Sequence, residues 1–485
     1  MCSRFPAKQI VSKRQNATKF HKATVETRGL LPYNKSVFLG ERGDAVQATQ
    51  NRKRPFALRA LAVFGATLAL LFVLLLGAYA LPGGPVRDHL VASAQTITEE
   101  GLYPAYFGFK LFQMDNYTDT LMLMEAASAD ETAPLTAMMT NTAYNVDNFE
   151  TLGEDLSTYL QARADGQSPE QVGLEPFSYA RYWHGYLIWL RPLLCLMPYT
   201  GVRVVQYLVL FALFAAVLVL LRRRCGLSAA LWFAVSQLLV TVFWVPHQLQ
   251  YFTCFAIAYA GCVWVLAKPR RSDLLCLGLV ALGAATAFCD LLVTPVLTLG
   301  LPLTCWLLEP QQKLRAGGKQ CALTLGGCLC WGVGYGLCWA SKWVLAGLVT
   351  GQSVIADALH QIGVRTAADT WHGMELTWGN IVTFMYTTLQ ERGLFWPLIV
   401  LVVVVIVLFA GGVRSRDALR RAAPLALAAV LPLLWFAVLR THSIQHGWFT
   451  WRGLGLTLFA GMACWYTASD LRWVLRRLKP KREDL

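Results

Sequence analysis

The chain has 485 residues, of which 55% are hydrophobic and only 15% are charged, and its formal net charge is +14. A soluble protein of this length carries charge on about a quarter of its residues, so the composition excludes an ordinary soluble enzyme. Nucleic acid is not predicted as a partner, because Lys and Arg cluster beside the ends of apolar runs and no basic groove with interleaved aromatic residues is visible.

Residues 1–55 are polar, basic and without an apolar period, which predicts a cytoplasmic, disordered segment. The apolar run from Phe56 to Leu81 follows. It exceeds the roughly 18 residues that mark a spanning helix, and it is too long for the core of a signal peptide. We therefore expect a retained signal anchor at the start of an all-α, polytopic transmembrane helix bundle.

Further apolar runs predict about ten spans in all, connected by loops of contrasting charge. The predicted spans are residues 57–82, 201–221, 228–246, 250–267, 273–290, 293–308, 320–340, 394–412, 423–440 and 453–470. The large outer loops are residues 83–200, which are acidic, and residues 341–392.

Basic clusters set the predicted orientation in a plasma membrane. Each of them falls on the inner side of a path that starts in the cytoplasm, as the positive-inside rule expects, so both termini are predicted to be cytoplasmic. The clusters are the N-terminal segment, Arg222–Arg224, Lys268 to Arg271, Lys313 to Lys319, Arg414 to Arg421 and the tail 471–485.

The 13 cysteines predict neither a disulfide framework nor a zinc site. Nearly all of them lie inside apolar runs, and no Cys-x-x-Cys pair with zinc spacing occurs. Such cysteines are typical small buried hydrophobic residues.

The first candidate site is the acidic pair Asp115 and Asp119, which begins a partly apolar segment of the first outer loop. On a helix, two carboxylates four residues apart share a face and repel each other, so a cation, a proton or a substrate hydroxyl is needed to satisfy them. One interpretation is a general base near the membrane surface. The other is a helix N-terminus, where carboxylates accept hydrogen bonds from free amides.

The second candidate site is the aromatic segment around Tyr182-Trp183-His184-Gly185 and the short apolar stretch Leu187 to Leu196. This stretch is too short to span, so it predicts a helix in the outer interface. Arg181, His184 and Arg191 would then face lipid headgroups. Ordinary anchoring by aromatic and Arg side chains is the alternative interpretation.

The third candidate site is the loop that contains His442, His446 and Arg452, between two predicted spans. Such ionisable side chains are costly at membrane depth unless they face water or a polar cavity. The two His have the spacing of a metal pair, but no His-Glu-x-x-His context accompanies them. Contact with a phosphate fits better, because Arg binds phosphate oxygens bidentately.

Three further ionisable residues are predicted on the outer side. Asp290 lies at the outer end of a span, and Lys342 and Arg365 lie in the second large outer loop. An ionisable group at a membrane boundary is a candidate for function. Since the inner loops offer no comparable collection, chemistry with a membrane-embedded donor from the outside is the simpler inference.

The arrangement resembles the GT-C class of integral-membrane glycosyltransferases. In that class an acidic motif follows the first span, and interfacial helices and many further spans come after it. The segment 115–119 occupies the place of the acidic motif, the segment 182–185 looks like the interfacial element, and the loop 442–452 is similar to loops of uncharacterised bacterial members. The resemblance covers most of the predicted transmembrane domain, residues 56–470.

The resemblance implies transfer of a sugar from a polyprenyl-phosphate donor to an acceptor outside the membrane, an envelope glycan or a lipid-linked glycan. Asp115 would be the general base, since it follows the interfacial stretch Tyr103 to Phe112, with Asp119 as its neighbour. Arg181, Arg452, His442 and His446 would stabilise the lipid phosphate. His184, Asp290, Lys342 and Arg365 would complete the substrate site, with membrane lipids around it. The resemblance specifies no cofactor, and the carboxylates of Asp115 and Asp119 can hold a divalent cation.

Three alternatives remain at this point. A transporter or flippase of a lipid-linked glycan would place its charges near the midplane, often within repeats, and neither feature is visible. A non-catalytic envelope-assembly subunit would not need an acidic pair beside a basic cavity. A metal-dependent phosphoryl transferase would need a clearer set of ligands.

Overall fold

The computed structural model describes residues 55–145, 151–312, 317–367, 370–371, 374–375, 377–395, 398–399, 402–403 and 413–470. The predicted cytoplasmic segment except for Pro55, most of the predicted span 394–412 and the tail 471–485 lie outside the described residues. The described chain is almost entirely helical, with two short antiparallel strand pairs.

The helices are α1 (Phe56–Tyr79), α2 (Gly83–Glu100), α3 (Asn116–Ser128), α4 (Pro134–Thr140), α5 (Leu152–Ala164), α6 (Leu187–Leu194), α7 (Tyr199–Cys225), α8 (Leu227–Leu239), α9 (Leu249–Ala267), α10 (Ser272–Cys289), α11 (Val296–Leu308), α12 (Gly317–Thr350), α13 (Val354–Ala367), α14 (Trp378–Glu391), α15 (Arg416–Val438), α16 (Arg440–Gln445), α17 (Gly447–Thr450) and α18 (Leu454–Ala468). The strands are β1 (Thr142–Tyr144), paired with β2 (Pro176–Ser178), and β3 (Thr370–Trp371), paired with β4 (Met374–Glu375).

Six described helices, α1, α7, α9, α10, α12 and α15, are long and apolar enough to cross a membrane. The chain is therefore an all-α, multi-pass membrane protein. The predicted spans at 228–246 and 293–308 correspond to α8 and α11, which have 13 residues each. At 1.5 Å per residue these helices are about 20 Å long, shorter than a hydrocarbon core of about 30 Å.

Local sequence explains why α8 is short. Thr241 adopts a left-handed backbone with φ 58°, and Pro246 lies in the 3₁₀ turn that follows. Proline lacks an amide hydrogen, so the α-helical hydrogen bonds cannot continue through this segment. The chain then restarts as α9 at Leu249, at the end of the bundle where the candidate site lies.

The predicted first outer loop is a folded layer of helices with a β-hairpin. Helices α2, α3 and α5 pack on one another, and β1 pairs with β2 in the register Ala143 opposite Phe177. Its core is formed by buried apolar side chains, among them Leu90, Met124, Met138, Leu156 and Tyr159. This layer carries α3 and hence the acidic pair. We call the end of the bundle that contacts this layer the loop end.

The opposite end of the bundle, which we call the basic end, gathers the described basic clusters. Arg224 at the end of α7 pairs with Glu309 after α11 at 3.0 Å, and Arg59 in α1 pairs with Asp273 in α10 at 3.3 Å. The indole of Trp306 in α11 donates to the backbone oxygen of Arg270 at 3.0 Å. Clusters that are distant in sequence thus lie on one side, as the charge pattern predicts.

Candidate functional site

Asp115 is the N-cap of α3, at the loop end. One carboxylate oxygen accepts from the Thr118 amide at 3.0 Å, and the other accepts from the Thr118 hydroxyl at 2.7 Å. Its own amide donates to the side chain of Gln248 at 2.8 Å, which ties α3 to the start of α9. Burial raises the pKa of Asp115 to about 7, while the bonds from Thr118 oppose the rise. A carboxylate with a pKa near neutrality is suited to general-base catalysis.

Asp119 faces a different set of partners, one turn further along α3. Its carboxylate accepts from the amides of Leu249 and Gln250, at 3.0 and 3.1 Å, and from the Tyr199 hydroxyl. These amides are the first two of α9, whose N-terminus is left without a side-chain cap of its own. Burial raises the pKa of Asp119 to about 6, and these hydrogen bonds oppose the rise. The geometry gives Asp119 the role of an anchor for α9.

The acidic pair does not form a metal site with other acidic, His or Cys side chains of the described residues. Within that part of the chain no group of three or more such residues can hold a metal ion. Asp119 already accepts three hydrogen bonds, from the Tyr199 hydroxyl and from the amides of Leu249 and Gln250.

Arg452 is a buried cation without an acidic partner among the described residues. Its side chain is fully buried, and one terminal nitrogen donates weakly to the backbone oxygen of Phe449 at 3.5 Å. Apart from the neighbouring Tyr251 hydroxyl, its Nε and its other terminal nitrogen have no hydrogen-bond partner among the described residues. Burial lowers the pKa of Arg452. An uncompensated buried charge is costly, so this position favours an anionic ligand.

Tyr251 brings Asp115 and two guanidinium groups to one place. The guanidinium of Arg452 lies 4.6 Å from the Tyr251 ring centroid, and Asp115 and Arg392 lie within electrostatic range of the Tyr251 hydroxyl. Arg392 is nearly buried and donates to the backbone oxygen of Lys110. Burial and the charge of Arg452 lower the pKa of Arg392 to about 10. We call Asp115, Tyr251, Arg392 and Arg452 the Tyr251 cluster.

The two His of the third candidate segment lie beside this cluster and are held neutral. The Nδ1 atom of His442 lies 3.0 Å from an Arg365 nitrogen, which can only donate, and its Nε2 atom lies 3.0 Å from the backbone oxygen of Leu292, which can only accept. These partners select the neutral tautomer with hydrogen on Nε2. Burial lowers the pKa of His442 and lowers that of His446 to about 3. Neither His supplies a positive charge near pH 7.

A cavity of about 420 Å³ lies on the other side of His442, between α12, α13 and α15. Its walls are mainly aromatic and include Tyr182, Tyr335, Trp339, Trp343 and Trp435. Arg181 and Arg365 are its cations.

Arg181, which lines this cavity, is partly neutralised and lies over Tyr179. It pairs with Asp357 at 3.2 Å, and its guanidinium lies 4.5 Å from the Tyr179 ring centroid. The Nε atom of Arg365 has no hydrogen-bond partner among the described residues. The cavity is thus apolar with a positive edge, a shape that suits an anionic lipid.

Rings connect the aromatic cavity with the Tyr251 cluster. The His442 and His446 rings lie 4.6 Å apart, the His446 and Phe449 rings 5.2 Å apart, and the Phe449 and Tyr251 rings 5.8 Å apart. The segment 442–452 therefore has Arg365 at one end and Arg452 at the other. This continuity brings most of the predicted phosphate-binding residues into one region.

Two other predicted site residues, Asp290 and Lys342, stabilise the fold around this region. Asp290 accepts from the Val293 amide at 3.1 Å and so shapes the turn whose Leu292 oxygen contacts His442. Burial raises the pKa of Asp290 to about 7. Lys342 donates to the backbone oxygen of Met138 at 2.8 Å and to the side chain of Asn141 at 2.7 Å, and thus caps α4.

His184 and Arg191 do not face headgroups, contrary to the expectation from the sequence. His184 is buried with its Nδ1 atom 2.7 Å from a carboxylate oxygen of Glu125, and Arg191 is fully buried and donates to the backbone oxygen of Ala78 at 2.7 Å. Arg191 thereby satisfies the carbonyl end of α1, where free oxygens attract cations. The sequence predicts that His184 and Arg191 face the outer interface, whereas both side chains point into the protein.

Glu125, Arg392 and Tyr251 are not among the residues that the sequence predicts for the site. Glu125 lies within the apolar run Leu121 to Ala127, so its position could have been noticed as that of a lone ionisable residue in a buried helix. Arg392 and Tyr251 carry no comparable signal, because their proximity depends on packing between distant helices.

Comparisons of this chain with protein-family models, with curated proteins and with solved structures found no match.

Proposed function

We propose that this chain is a glycosyltransferase that moves a sugar from a polyprenyl-phosphate donor to an acceptor at the loop end of the bundle. The observation that carries the proposal is the buried Arg452, which has no acidic partner in the described structure and lies with Asp115 around Tyr251. A lipid phosphate supplies the missing negative charge, and Asp115 supplies the base that an acceptor hydroxyl needs.

The reaction uses these groups in a single displacement. Asp115 accepts the proton of the acceptor hydroxyl as that oxygen attacks the anomeric carbon. The bond between the anomeric carbon and the phosphate oxygen breaks through an oxocarbenium-like state, as in glycoside chemistry generally. The bonding electrons leave with the lipid phosphate. Arg452 and Arg392 stabilise its charge by hydrogen bonds that a low-dielectric site strengthens.

The aromatic cavity is suited to the apolar chain of the same donor. It opens beside Arg365, and the rings of His442, His446 and Phe449 lead from there to Tyr251. An isoprenoid chain in the cavity would place its phosphate between Arg365 and Arg452. The neutral His442 and His446 contribute shape and hydrogen bonds to this path, since burial keeps them uncharged.

The membrane topology that goes with this function has about ten spans. It adds α8, α11, α18 and the predicted span 394–412 to the six long apolar helices. In this topology the basic end faces the cytoplasm together with both termini, as the positive-inside rule requires. The loop end then faces the exterior of a plasma membrane, where an envelope glycan or a lipid-linked glycan is the acceptor.

A non-catalytic subunit or a flippase is less well supported by the geometry. A scaffold gains nothing from a buried, unneutralised Arg beside a carboxylate, because such a charge destabilises the folded chain. The ionisable groups of the Tyr251 cluster lie at one end of the bundle rather than near the middle of the helices, where transporters place their substrate sites.

The test is transfer by purified protein in detergent, with polyprenyl-phosphate-linked hexoses and pentoses as donors and release of polyprenyl phosphate as the readout. Asp115→Asn is expected to lower turnover by about 10²–10⁴-fold, the usual contribution of a general base. Asn is also a good N-cap, so thermal unfolding should change little. Asp88→Asn, an exposed acid on α2, is the matched control. Full turnover by Asp115→Asn would falsify the assignment.

A further inference from the structure

A second cavity of about 420 Å³ lies at the basic end, opposite the Tyr251 cluster. It forms where α7 and α11 end, α8 and α12 begin, and the start of α15 meets the end of α18. A backbone bridge between Val413 and Ser469 closes one side. The proposed glycosyl transfer does not use this cavity.

Two arginines give the cavity a positive charge. Arg414 and Arg421 line it, and neither has a carboxylate partner among the described residues. The nearby acids have other partners, since Glu309 pairs with Arg224 at 3.0 Å and Asp417 with Arg420 at 3.5 Å. Two guanidinium groups that line one cavity repel each other unless an anion lies between them.

The first turn of α8 adds backbone donors on the same wall. Gly226, Ser228 and Ala229 line the cavity, and α8 begins at Leu227 without a side-chain cap. The first amides of a helix have no partner within the helix, and the helix dipole favours an anion there. Amides and guanidinium groups together form the donor set that binds phosphate in many proteins.

The rest of the wall is mainly aliphatic and aromatic, with Leu307, Leu308 and Leu425 beside two rings. Trp232 and Tyr466 line the cavity with their rings 4.6 Å apart, and Tyr466 is exposed. Trp and Tyr at helix ends typically lie at the level of the lipid headgroups. The occupant that fits polar and apolar walls together is amphiphilic and anionic.

We propose that this cavity binds the phosphate headgroup of an anionic membrane lipid from the leaflet at the basic end. Arg414 and Arg421 contact the phosphate oxygens, the first amides of α8 donate to them, and Trp232 and Tyr466 pack against the glycerol and upper acyl chains. The bound lipid joins the first turn of α8 to the two arginines at the start of α15.

The experiment uses the full chain, exchanged into mixed micelles of phosphatidylglycerol and phosphatidylcholine and examined by native mass spectrometry. The wild-type protein is expected to retain phosphatidylglycerol selectively. The double variant Arg414→Gln, Arg421→Gln is expected to retain it about tenfold less, because two ionic contacts at a partly exposed site, where solvent weakens each of them, are lost. The matched control is Arg416→Gln, Arg420→Gln, which removes two charges from the same helix outside the cavity.

A second variant guards against misfolding. Ser228→Asp places an acid in the first turn of α8, which stabilises a helix N-terminus but repels an anionic lipid. We expect unchanged or higher thermal stability and lower retention of phosphatidylglycerol. Equal retention by wild type, Ser228→Asp and the double variant overturns the proposal. Displacement of the lipid by excess inorganic phosphate would overturn the lipid assignment in favour of a free anion.

Discussion

The guanidinium of Arg452 lies over the Tyr251 ring, with its central carbon 4.6 Å from the ring centroid and both side chains fully buried. The Tyr251 hydroxyl lies beside the guanidinium, and the Nε atom and one terminal nitrogen of Arg452 have no other hydrogen-bond partner among the described residues. This buried guanidinium has more donors than the described residues accept, and an anionic ligand with several oxygens can accept from the remaining ones. We therefore expect an anionic ligand beside Tyr251 to compensate the buried charge of Arg452.

Replacing Arg452 should raise folding stability and weaken donor binding. We expect Arg452→Met to raise the unfolding temperature of the ligand-free protein, because the buried charge is removed while the volume is kept. The same change should weaken donor binding by about 10–150-fold, since a hydrogen bond to a charged group contributes about 1.5–3 kcal/mol. Differential scanning fluorimetry and donor titration measure the two effects.

Arg222→Met is the control for that variant, because it removes an exposed charge at the basic end. It should alter neither the unfolding temperature nor donor binding beyond experimental error. If Arg452→Met instead lowers the unfolding temperature and leaves donor binding intact, the guanidinium is a structural group and no phosphate binds beside it.

The rate should depend on pH through Asp115. As a general base it acts only when deprotonated, and its pKa is raised to about 7 by burial. The specificity constant kcat/KM is therefore expected to rise with pH and to level off above about 7. Measurement between pH 5 and pH 9 with a saturating acceptor checks this, and a flat profile would contradict the role of Asp115.

Whereas the rate should rise with pH, the contribution of Asp115 to folding stability should fall as the pH rises. The folded-state pKa of Asp115 lies above its ordinary value of 3.8, so the folded protein binds this proton more tightly than the unfolded chain does. The stability that this proton contributes is present below about pH 4 and is lost as the pH rises to about 7. Asp115→Asn should remove this part of the pH dependence, as followed by thermal unfolding at several pH values.

Asp119 is expected to contribute to folding stability rather than to catalysis. Asp119→Ala leaves the amides of Leu249 and Gln250 without their acceptor, and each unsatisfied buried donor costs about 1–3 kcal/mol. We expect lower expression and a lower unfolding temperature, with Asp165→Ala at an exposed helix end as the control. Normal stability combined with lost turnover would instead make Asp119 the base.

A variant of Lys342, which the sequence predicts for the substrate site, tests whether this residue instead stabilises the fold. Its ammonium donates to Met138, Met139 and Asn141 in a fully buried position. Lys342→Met is expected to destabilise the protein by leaving these oxygens unpaired, while the donor KM of the folded fraction stays unchanged. An increase in donor KM without a change in the unfolding temperature would place Lys342 in the substrate site.

Hydrophobic run length and charge were sufficient to predict the helical membrane architecture and the gathering of basic clusters at one end. They did not predict helix ends accurately. Helix α8 ends just before Thr241, whose left-handed backbone cannot be predicted from the mean hydropathy of a segment. The predicted span 228–246 is therefore longer than α8, and the predicted span 293–308 begins three residues before α11.

Spacing along the chain predicted the candidate residues but not their partners. The pair Asp115 and Asp119 was expected to share a helix face, yet Asp115 is the cap before α3 and only Asp119 lies within the helix. Their separate roles depend on Gln248 and Leu249, which are distant in sequence. Arg452 was predicted from its residue type and location, whereas Arg392 and Tyr251 became visible only through packing.

The bonds from Asp119 to the start of α9 also constrain the order in which the chain is assembled during synthesis. Residues 83–198 leave the ribosome before α9, so this layer reaches its final position only after later helices have entered the membrane. The Tyr251 cluster is completed later still, when Arg452 has been translated. A chain shortened before residue 452 can insert most of its helices and still lack a finished site.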